Sequence, residues 1–109
     1  MSSFDELITI IKILQAPGGC PWDREQTHKS LKPYFLEEVY EALEAIDSGS
    51  DDHLAEELGD VMLQVVFHAE IASREGRFDI EDVTKGIVDK LKRRHPHVFA
   101  DATVENSKE

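Results

Sequence analysis

The sequence LAEELGDVMLQVVFHAEIA, residues 54–72, constrains the fold more than any other stretch of the chain. Between Val61 and Phe67 only Gln64 is polar, so a helix over this stretch is apolar on nearly every side. A helix of that kind is buried around most of its circumference. In a chain this short, the cover comes either from the other helices of the same chain or from a second subunit. We expect a subunit interface to cover its far side.

Helical periodicity continues over most of the remaining chain. Apolar residues recur at spacings of three and four, and no segment alternates polar and apolar residues for long enough to predict a strand. The sequence therefore predicts an all-α four-helix bundle, completed by dimerisation. The predicted helices span residues 4–14, 30–47, 51–75 and 80–95.

Capping and helix-breaking residues set these bounds. Pro33 is compatible with the second helix because it falls in the first turn, where no backbone N–H is needed, and Pro96 ends the fourth helix. The N-cap candidates are Ser2 or Ser3 for the first helix, Asp51 or Asp52 for the third, and Asp79 for the fourth.

The composition limits the classes of function. The chain has 109 residues, with 23 Asp or Glu and 12 Lys or Arg, and a formal net charge of −11. That charge argues against binding to a nucleic-acid polymer or an anionic membrane surface, because both need an excess of cations. The single cysteine, Cys20, cannot form an internal disulfide, and no signal peptide or long apolar run is present, so we expect a cytoplasmic protein.

The length fits one domain. We expect residues 1–101 to form that domain and residues 102–109 to be a polar tail. Because the chain stops abruptly at Lys108-Glu109, we expect it to be a shortened chain or one domain of a longer protein.

Acidic side chains are clustered on the second and third predicted helices. Residues three or four apart on a helix share a face, and on each helix one pair of acids flanks the apolar stripe instead of lying opposite it. Like charges in such positions repel and are poorly solvated, so they need a counter-ion. The two pairs are Glu38 with Glu41, and Glu57 with Asp60.

A divalent cation is the counter-ion that this pattern favours. No Lys or Arg lies between residues 48 and 73 to neutralise the acids. Mg²⁺ binds through a few carboxylates and keeps positions open for phosphates, and Mn²⁺ accepts the same oxygen ligands. The competing interpretation is a solvated acidic face without a metal. A ferritin-like di-iron site needs Glu-x-x-His on two helices, and Glu25-x-x-His28 is the only such spacing in the chain.

Cations are concentrated on the fourth predicted helix. Lys90 and Arg94 are four residues apart and share a face. Cations near the end of a helix suit its dipole, which by itself accounts for them. Opposite a carboxylate-bound metal they favour a polyanionic substrate, because Arg matches phosphate through its bidentate fork. The combination predicts phosphoryl or nucleotidyl chemistry. The cations of this helix are Lys85, Lys90, Lys92, Arg93 and Arg94.

Six short motifs complete the pattern. They are Cys20-Pro21-Trp22-Asp23, Gln26-Thr27-His28, Glu37-Glu38-x-x-Glu41, Glu57-x-x-Asp60, Glu75-Gly76-Arg77-Phe78-Asp79 and Arg93-Arg94-His95-Pro96-His97-Val98-Phe99. Together they resemble the motifs of MazG nucleotide pyrophosphohydrolases, over nearly the whole chain from Pro17 to Asp101.

The resemblance implies an all-α, Mg²⁺-dependent hydrolase, and we expect it to work as a homodimer or a higher homo-oligomer; the carboxylate ligands also admit Mn²⁺ as a substitute metal. It implies hydrolysis of nucleoside triphosphates to the monophosphate and pyrophosphate, a nucleotide-pool housecleaning activity. Glu37 is then a further metal ligand or the group that orients the attacking water. The implied metal ligands are Glu38, Glu41, Glu57 and Asp60; the catalytic acids are Glu37, Glu38 and Glu41; the phosphate-binding residues are Lys90, Arg93 and Arg94.

The nucleoside contacts and the substrate stay open between alternatives. Trp22 either stacks on a base or packs its loop onto the bundle, and Gln64 is the second candidate contact. Related all-α hydrolases act on deoxyuridine or phosphoribosyl nucleotides, which is the alternative enzymatic interpretation. A non-catalytic module that binds nucleotides and dimerises is the non-enzymatic one.

Overall fold

Six α-helices make up the computed structural model, which describes residues 2–103 and the side chains of residues 2–99. They are α1 (Ser3–Gln15), α2 (Pro21–Glu25), α3 (His28–Ser48), α4 (Asp51–Arg74), α5 (Ile80–Arg94) and α6 (Pro96–Thr103). No strand occurs in the described range, and the all-α prediction is confirmed. The predicted number of four helices is wrong, because α2 and α6 were missed. Both begin at a proline, which interrupts a helix from within but starts one well at its first position.

The N-caps of the long helices are polar side chains that accept hydrogen bonds from free backbone N–H groups. Ser2 caps α1, and Asp79 caps α5 in a reciprocal capping box with Asp82. Helix α4 is capped by Ser50, whose side chain accepts a hydrogen bond from the N–H of His53, and not by Asp51 or Asp52 as predicted. The two aspartates instead occupy its first turn, where a negative charge suits the helix dipole.

The start of α3 also corrects the prediction. The helix begins at His28, where Thr27 and Ser30 form a capping box, so Pro33 lies in the second turn and not in the first. A proline there removes the backbone hydrogen bond to the carbonyl of Lys29. Lys29 is exposed, so water can satisfy that carbonyl.

The core formed by helices α1 to α4 is built around α4. This helix packs against α3 and α1, and α2 packs against α1. Five of the nine buried apolar residues come from α4, and four of the nine are alanine, which lets helix axes approach closely. The nine are Ile11, Leu31, Ala42, Ala45, Val66, Phe67, Ala69, Ile71 and Ala72.

Part of the apolar surface of α3 and α4 is left uncovered. Leu58 of α4 is 51% exposed, although it lies in the stretch expected to be buried on most sides. Among the uncovered apolar side chains of α3 and α4 are Leu36, Leu43, Ile46, Leu58 and Met62. We refer to these five as the uncovered apolar set.

The chain divides into two compact units, with the boundary between Arg77 and Phe78. In the second unit α5 packs against α6, and α6 is kinked at Phe99, whose φ and ψ are −112° and 21°. Ala102 and Thr103 of the predicted tail belong to α6, and the rest of that tail lies outside the described residues. None of the helices described has the length and apolar character needed to cross a bilayer.

The turn between α3 and α4 generates a stability prediction. Gly49 ends α3 in the left-handed conformation, at φ 73° and ψ 7°. Gly49→Ala is expected to lower the free energy of unfolding by about 1 kcal/mol, because a Cβ is strained there even in open space. Urea unfolding followed by helical circular dichroism measures the change.

The matched control for this prediction is Gly59→Ala. Gly59 lies inside α4, has negative φ, and also faces open space at the Cβ position. Alanine there is expected to raise the free energy of unfolding by about 0.5–1 kcal/mol, because it favours the helix. Equal stability of Gly49→Ala and wild type would contradict the prediction.

Candidate active site

The register of the α3–α4 hairpin brings the acidic pairs together. The two helices are joined only by Gly49 and Ser50, so they run antiparallel, and residues equally far from the turn lie at the same height. Glu41 is seven residues before the end of α3, and Glu57 is six residues after the start of α4. Glu38 and Asp60 each lie three residues further from the connection, about one helical turn away. One carboxylate oxygen from each of these four residues lies within 4.8 Å of the other three.

The four carboxylates, which we call the acidic cluster, are partly withdrawn from solvent. Glu57 is buried, and Glu38, Glu41 and Asp60 are half-buried. Glu38 Oε2 and Glu57 Oε2 are buried without a hydrogen-bond partner among the described residues. Buried carboxylate oxygens without a partner are costly, so these atoms mark a place for a ligand that the protein itself does not supply.

Burial and mutual repulsion change the titration of two members of the cluster. Burial raises the pKa of Glu38 above its usual value of 4.5, and the charges of Asp60, Glu41 and Glu37 raise it further. Burial is also the largest cause of the raised pKa of Glu57. A hydrogen bond shared with Glu41 and the charges of Glu41 and Asp60 act in the same direction. Glu38 and Glu57 therefore hold their protons more tightly than free carboxylates do.

The donor set fits a hard divalent cation. It consists of carboxylate oxygens from four residues, with no nitrogen or sulfur, and oxygen-only ligation is typical of Mg²⁺, Mn²⁺ and Ca²⁺. The two unpartnered buried oxygens are the atoms such an ion would bind. The residues of the di-iron alternative lie elsewhere: Glu25 is on α2, and His28 at the start of α3 bonds to His68, with 2.8 Å between their Nδ1 atoms.

Glu37 lies beside the acidic cluster without joining it. Its side chain is exposed, and its oxygens are outside the group whose ligand atoms lie within 4.8 Å of one another. Its charge still raises the pKa of Glu38, so it acts on the cluster electrostatically.

A cavity of about 260 Å³ adjoins the acidic cluster at Glu38. Trp22 and Gln64, the two predicted nucleoside contacts, both line it. Gln64 is 8% exposed, and its Oε1 has no hydrogen-bond partner among the described residues. Trp22 is half-exposed, and its ring meets the ring of Tyr34 edge-on at 5.9 Å between centroids. An aromatic face and an unpaired amide in one cavity can stack on and hydrogen-bond to a planar polar ligand.

The Gln26-Thr27-His28 motif positions this cavity. The amide of Gln26 donates to the carbonyl of Trp22 at 3.0 Å and accepts from the hydroxyl of Ser30 at 2.8 Å. These bonds join α2 to the capping box of α3, so Trp22 is held by the same residues that start the helix carrying Glu38.

The predicted phosphate-binding residues lie in the second unit. Lys90 and Arg94 are exposed on α5, Arg93 is half-buried, and Lys85 forms an ion pair with Asp89 at 3.2 Å. The acidic cluster consists only of residues from α3 and α4, which belong to the first unit.

Three residues near the site were not predicted from the sequence. His53 Nε2 lies 3.7 Å from Glu57 Oε1, and Asp23 and Tyr34 line the cavity. The spacing of four residues between His53 and Glu57 is a usable signal, because such residues are neighbours on a helix. Asp23 and Tyr34 reach the cavity through the packing of α2 and α3, for which the sequence carries no local signal.

A helical hairpin that brings two carboxylates from each helix to one point places the chain among helical proteins whose clustered carboxylates could hold a cation. Comparison with known proteins narrows this class. The family described as the MazG nucleotide pyrophosphohydrolase domain matches residues 26–99, and the chain belongs to that family. The match includes the acidic cluster and the cations of α5, whereas Trp22 lies outside it.

Named relatives extend the comparison. A nucleoside triphosphate pyrophosphohydrolase/pyrophosphatase MazG of Thermotoga maritima is 61% identical over 91% of this chain and 39% of its own length. A nucleoside triphosphate pyrophosphohydrolase of Escherichia coli is 54% identical over 100% of this chain and 42% of its own length. The uncharacterized protein YabN of Bacillus subtilis is 57% identical over 94% of this chain and 21% of its own length. The chain thus spans less than half the length of these relatives.

The raised pKa values generate a prediction for the metal-free protein. Glu57 holds its proton to higher pH in the folded state than in the unfolded chain. Its contribution to stability is therefore complete below the unfolded pKa and is lost as the pH rises through the folded pKa. Glu57→Gln is expected to remove this loss, so the variant gains stability relative to wild type as the pH rises above about 4.5. Urea unfolding across that pH range, in metal-free buffer, measures the difference.

Glu56→Gln is the matched control for Glu57→Gln. Glu56 is exposed on the same helix and lies outside the acidic cluster, so its variant should follow the wild-type pH profile. Added Mg²⁺ should raise the Tm of wild type and Glu56→Gln more than that of Glu57→Gln. Parallel profiles for all three proteins would rule out electrostatic strain at Glu57.

Proposed function

We propose that the chain hydrolyses nucleoside triphosphates to the monophosphate and pyrophosphate with Mg²⁺ bound at the acidic cluster. The observation that carries this proposal is the convergence of four carboxylates, two with unpartnered buried oxygens, beside a cavity with an exposed tryptophan face and a free amide. Membership of the MazG family supports it, as do the pyrophosphohydrolase activities for which the Thermotoga maritima and Escherichia coli relatives are named. Such a nucleotide-pool activity would act in the cytoplasm.

The residues of the acidic cluster are the proposed metal ligands: Glu38, Glu41, Glu57 and Asp60. Mg²⁺ is preferred to a softer metal because the donor set is all oxygen, and Mn²⁺ is the expected substitute. When bound, the ion would neutralise charge on the triphosphate and make phosphorus more electrophilic. It would also remove the repulsion that raises the pKa values of Glu38 and Glu57.

The remaining proposed residues either orient the attacking water or bind the base and the phosphates of the substrate. Glu37 accepts a hydrogen bond from the attacking water and orients it, a role suited to an exposed carboxylate beside the ligands. Trp22 stacks on the base, and the free amide of Gln64 hydrogen-bonds to its edge. Lys90, Arg93 and Arg94 are the proposed phosphate-binding residues, an assignment that rests on their charge and on the family match.

Two variants test the proposed metal ligands. Glu38→Gln and Asp60→Asn should each lower Mg²⁺-dependent pyrophosphate release by about 100-fold or more, because each removes a charged ligand without removing bulk. Release is measured with all ribo- and deoxyribonucleoside triphosphates, including deoxyuridine triphosphate, with and without Mg²⁺. The panel also separates a general triphosphate hydrolase from one restricted to deoxyuridine nucleotides.

Glu56→Gln again serves as the control, since it changes the same charge on α4 outside the acidic cluster and should keep activity within about twofold. Full activity of Asp60→Asn contradicts the ligand assignment. A triphosphate that raises the Tm of the wild type while no pyrophosphate accumulates would instead identify a binding module without turnover.

We also propose that the chain forms a homodimer in which a second copy covers the uncovered apolar set. These side chains belong to α3 and α4, the same helices that carry the acidic cluster, and Leu36 and Ile46 are about 60% exposed. A chain of 12.4 kDa with so much apolar surface gains stability by burying it in an interface.

Sedimentation equilibrium tests the proposed dimer. Wild type should sediment with twice the 12.4 kDa mass of one chain, and Leu43→Lys should shift the equilibrium to monomer, because it puts a charge into the interface. Glu44→Gln changes the net charge equally at the neighbouring exposed position and should remain dimeric. A monomeric wild type refutes the proposal.

A further inference from the structure

A second cavity, of about 490 Å³, lies next to α2. No residue lines both cavities. Trp22 and Asp23 of α2 line the cavity at Glu38, whereas Arg24 and Glu25 line the second one. Its volume is within the range of small-molecule sites, roughly 300–1,000 Å³. The residues that line it are Gln15, Pro17, Pro21, Arg24, Glu25 and Arg74.

The two arginines of this cavity have unused hydrogen-bond donors. Arg74 donates from Nε to Gln15 Oε1 at 3.0 Å, and its other guanidinium nitrogens have no protein partner within the described side chains. Arg24 makes no side-chain hydrogen bond or ion pair there, although Glu25 lines the same cavity. In contrast, Lys12 and Lys85 pair with carboxylates at 3.0 and 3.2 Å. Both arginines are exposed, and together they carry one more positive charge in this cavity than Glu25, the one acidic residue of its lining, can offset.

A buried amide holds one wall of the cavity in place. Gln15 is 1% exposed, donates from Nε2 to the carbonyl of Phe67 at 3.1 Å, and accepts from Arg74. Both polar atoms of its amide are therefore used, which fixes the orientation of the amide and of the guanidinium bound to it. The two terminal nitrogens of the Arg74 guanidinium remain available as donors.

Pro17 and Pro21, which also line the cavity, belong to a tight loop between α1 and α2. The N–H of Cys20 bonds to the carbonyl of Leu14 at 2.9 Å, which folds the loop back onto the end of α1. A Cβ at Gly19 would overlap the carbonyl oxygens of Ile13 and Leu14, so only glycine permits this approach. The loop ends at Pro21, the first residue of α2, and so sets the position of Arg24.

We propose that this second cavity binds a phosphate-bearing anion through Arg24 and Arg74, separately from the acidic cluster. Two guanidinium groups offer the paired N–H donors that match phosphate oxygens, and an anion offsets the positive charge that remains after Glu25 is counted. The ligand is either an inorganic phosphate or the phosphate of a nucleotide. Because α2 carries Trp22 into the neighbouring cavity, occupation of the site alters the surroundings of the only tryptophan in the chain.

The intrinsic fluorescence of Trp22 provides the test. Wild-type chain is titrated with pyrophosphate, orthophosphate and adenosine monophosphate at constant ionic strength, in buffer freed of divalent cations on a chelating resin. Without a metal the acidic cluster repels these anions, and variants of Arg24 and Arg74 separate binding in the second cavity from binding at the cations of α5. The strongest of the three ligands distinguishes an inorganic phosphate from a nucleotide as the source.

Variants locate the binding. Arg24→Gln and Arg74→Gln should each weaken it about tenfold or more, because each removes a charged hydrogen-bond donor. Lys29→Gln removes the same charge from an exposed position of α3 outside the cavity and should bind like wild type. Asp60→Asn should also bind like wild type, because the acidic cluster takes no part. Helical circular dichroism checks folding, and Arg24→Gln, which breaks no protein contact, keeps the test decisive if Arg74→Gln unfolds.

The proposal is overturned if no anion changes the fluorescence saturably. It is also overturned if Arg24→Gln binds like wild type, or if Asp60→Asn changes the affinity about tenfold or more, since the anion would then lie at the candidate active site.

Discussion

Repulsion among four carboxylates is the constraint around which the first half of this molecule is organised. Two packed helices hold these groups together, although burial and mutual charge both oppose ionisation, as the raised pKa values of Glu38 and Glu57 show. The packing that enforces the arrangement is the α3–α4 contact, together with the cap at Ser50 and the turn at Gly49 that set its register. A divalent cation bound there would offset this repulsion, so the fold and the proposed chemistry depend on the same charges.

Much of the fold and of the candidate site could be predicted from the sequence, for a physical reason. Helical periodicity is a local signal, and the acids of one helix face follow directly from their spacing, so the long helices and the two acidic pairs were visible. The short helices α2 and α6 could not be predicted in this way. Each begins at a proline, Pro21 or Pro96, and a proline in the sequence indicates the end of a helix as readily as its start. The cavity contacts of Asp23 and Tyr34 depend on how α2 meets α3, and such packing between segments leaves no periodic trace.

The net charge of −11 conceals a strongly uneven distribution. The acidic cluster occupies α3 and α4, while the cations are concentrated on α5 and in the cavity beside α2. Residues only two positions apart on α2 line different cavities: Trp22 lines the cavity at Glu38, and Arg24 lines the second cavity. A chain unsuited to binding a nucleic-acid polymer can therefore still offer local surroundings suited to small phosphate-bearing molecules.

The two-residue connection between α3 and α4 also has a kinetic consequence. All four members of the acidic cluster fall within residues 38–60, so the contacts that assemble it are short-range in sequence. Contacts of low sequence separation form early and quickly in folding, because little chain entropy is lost in closing the loop between them. The hairpin can thus form its cation site before α1 has docked, and a cation captured at that stage would guide the later steps of folding.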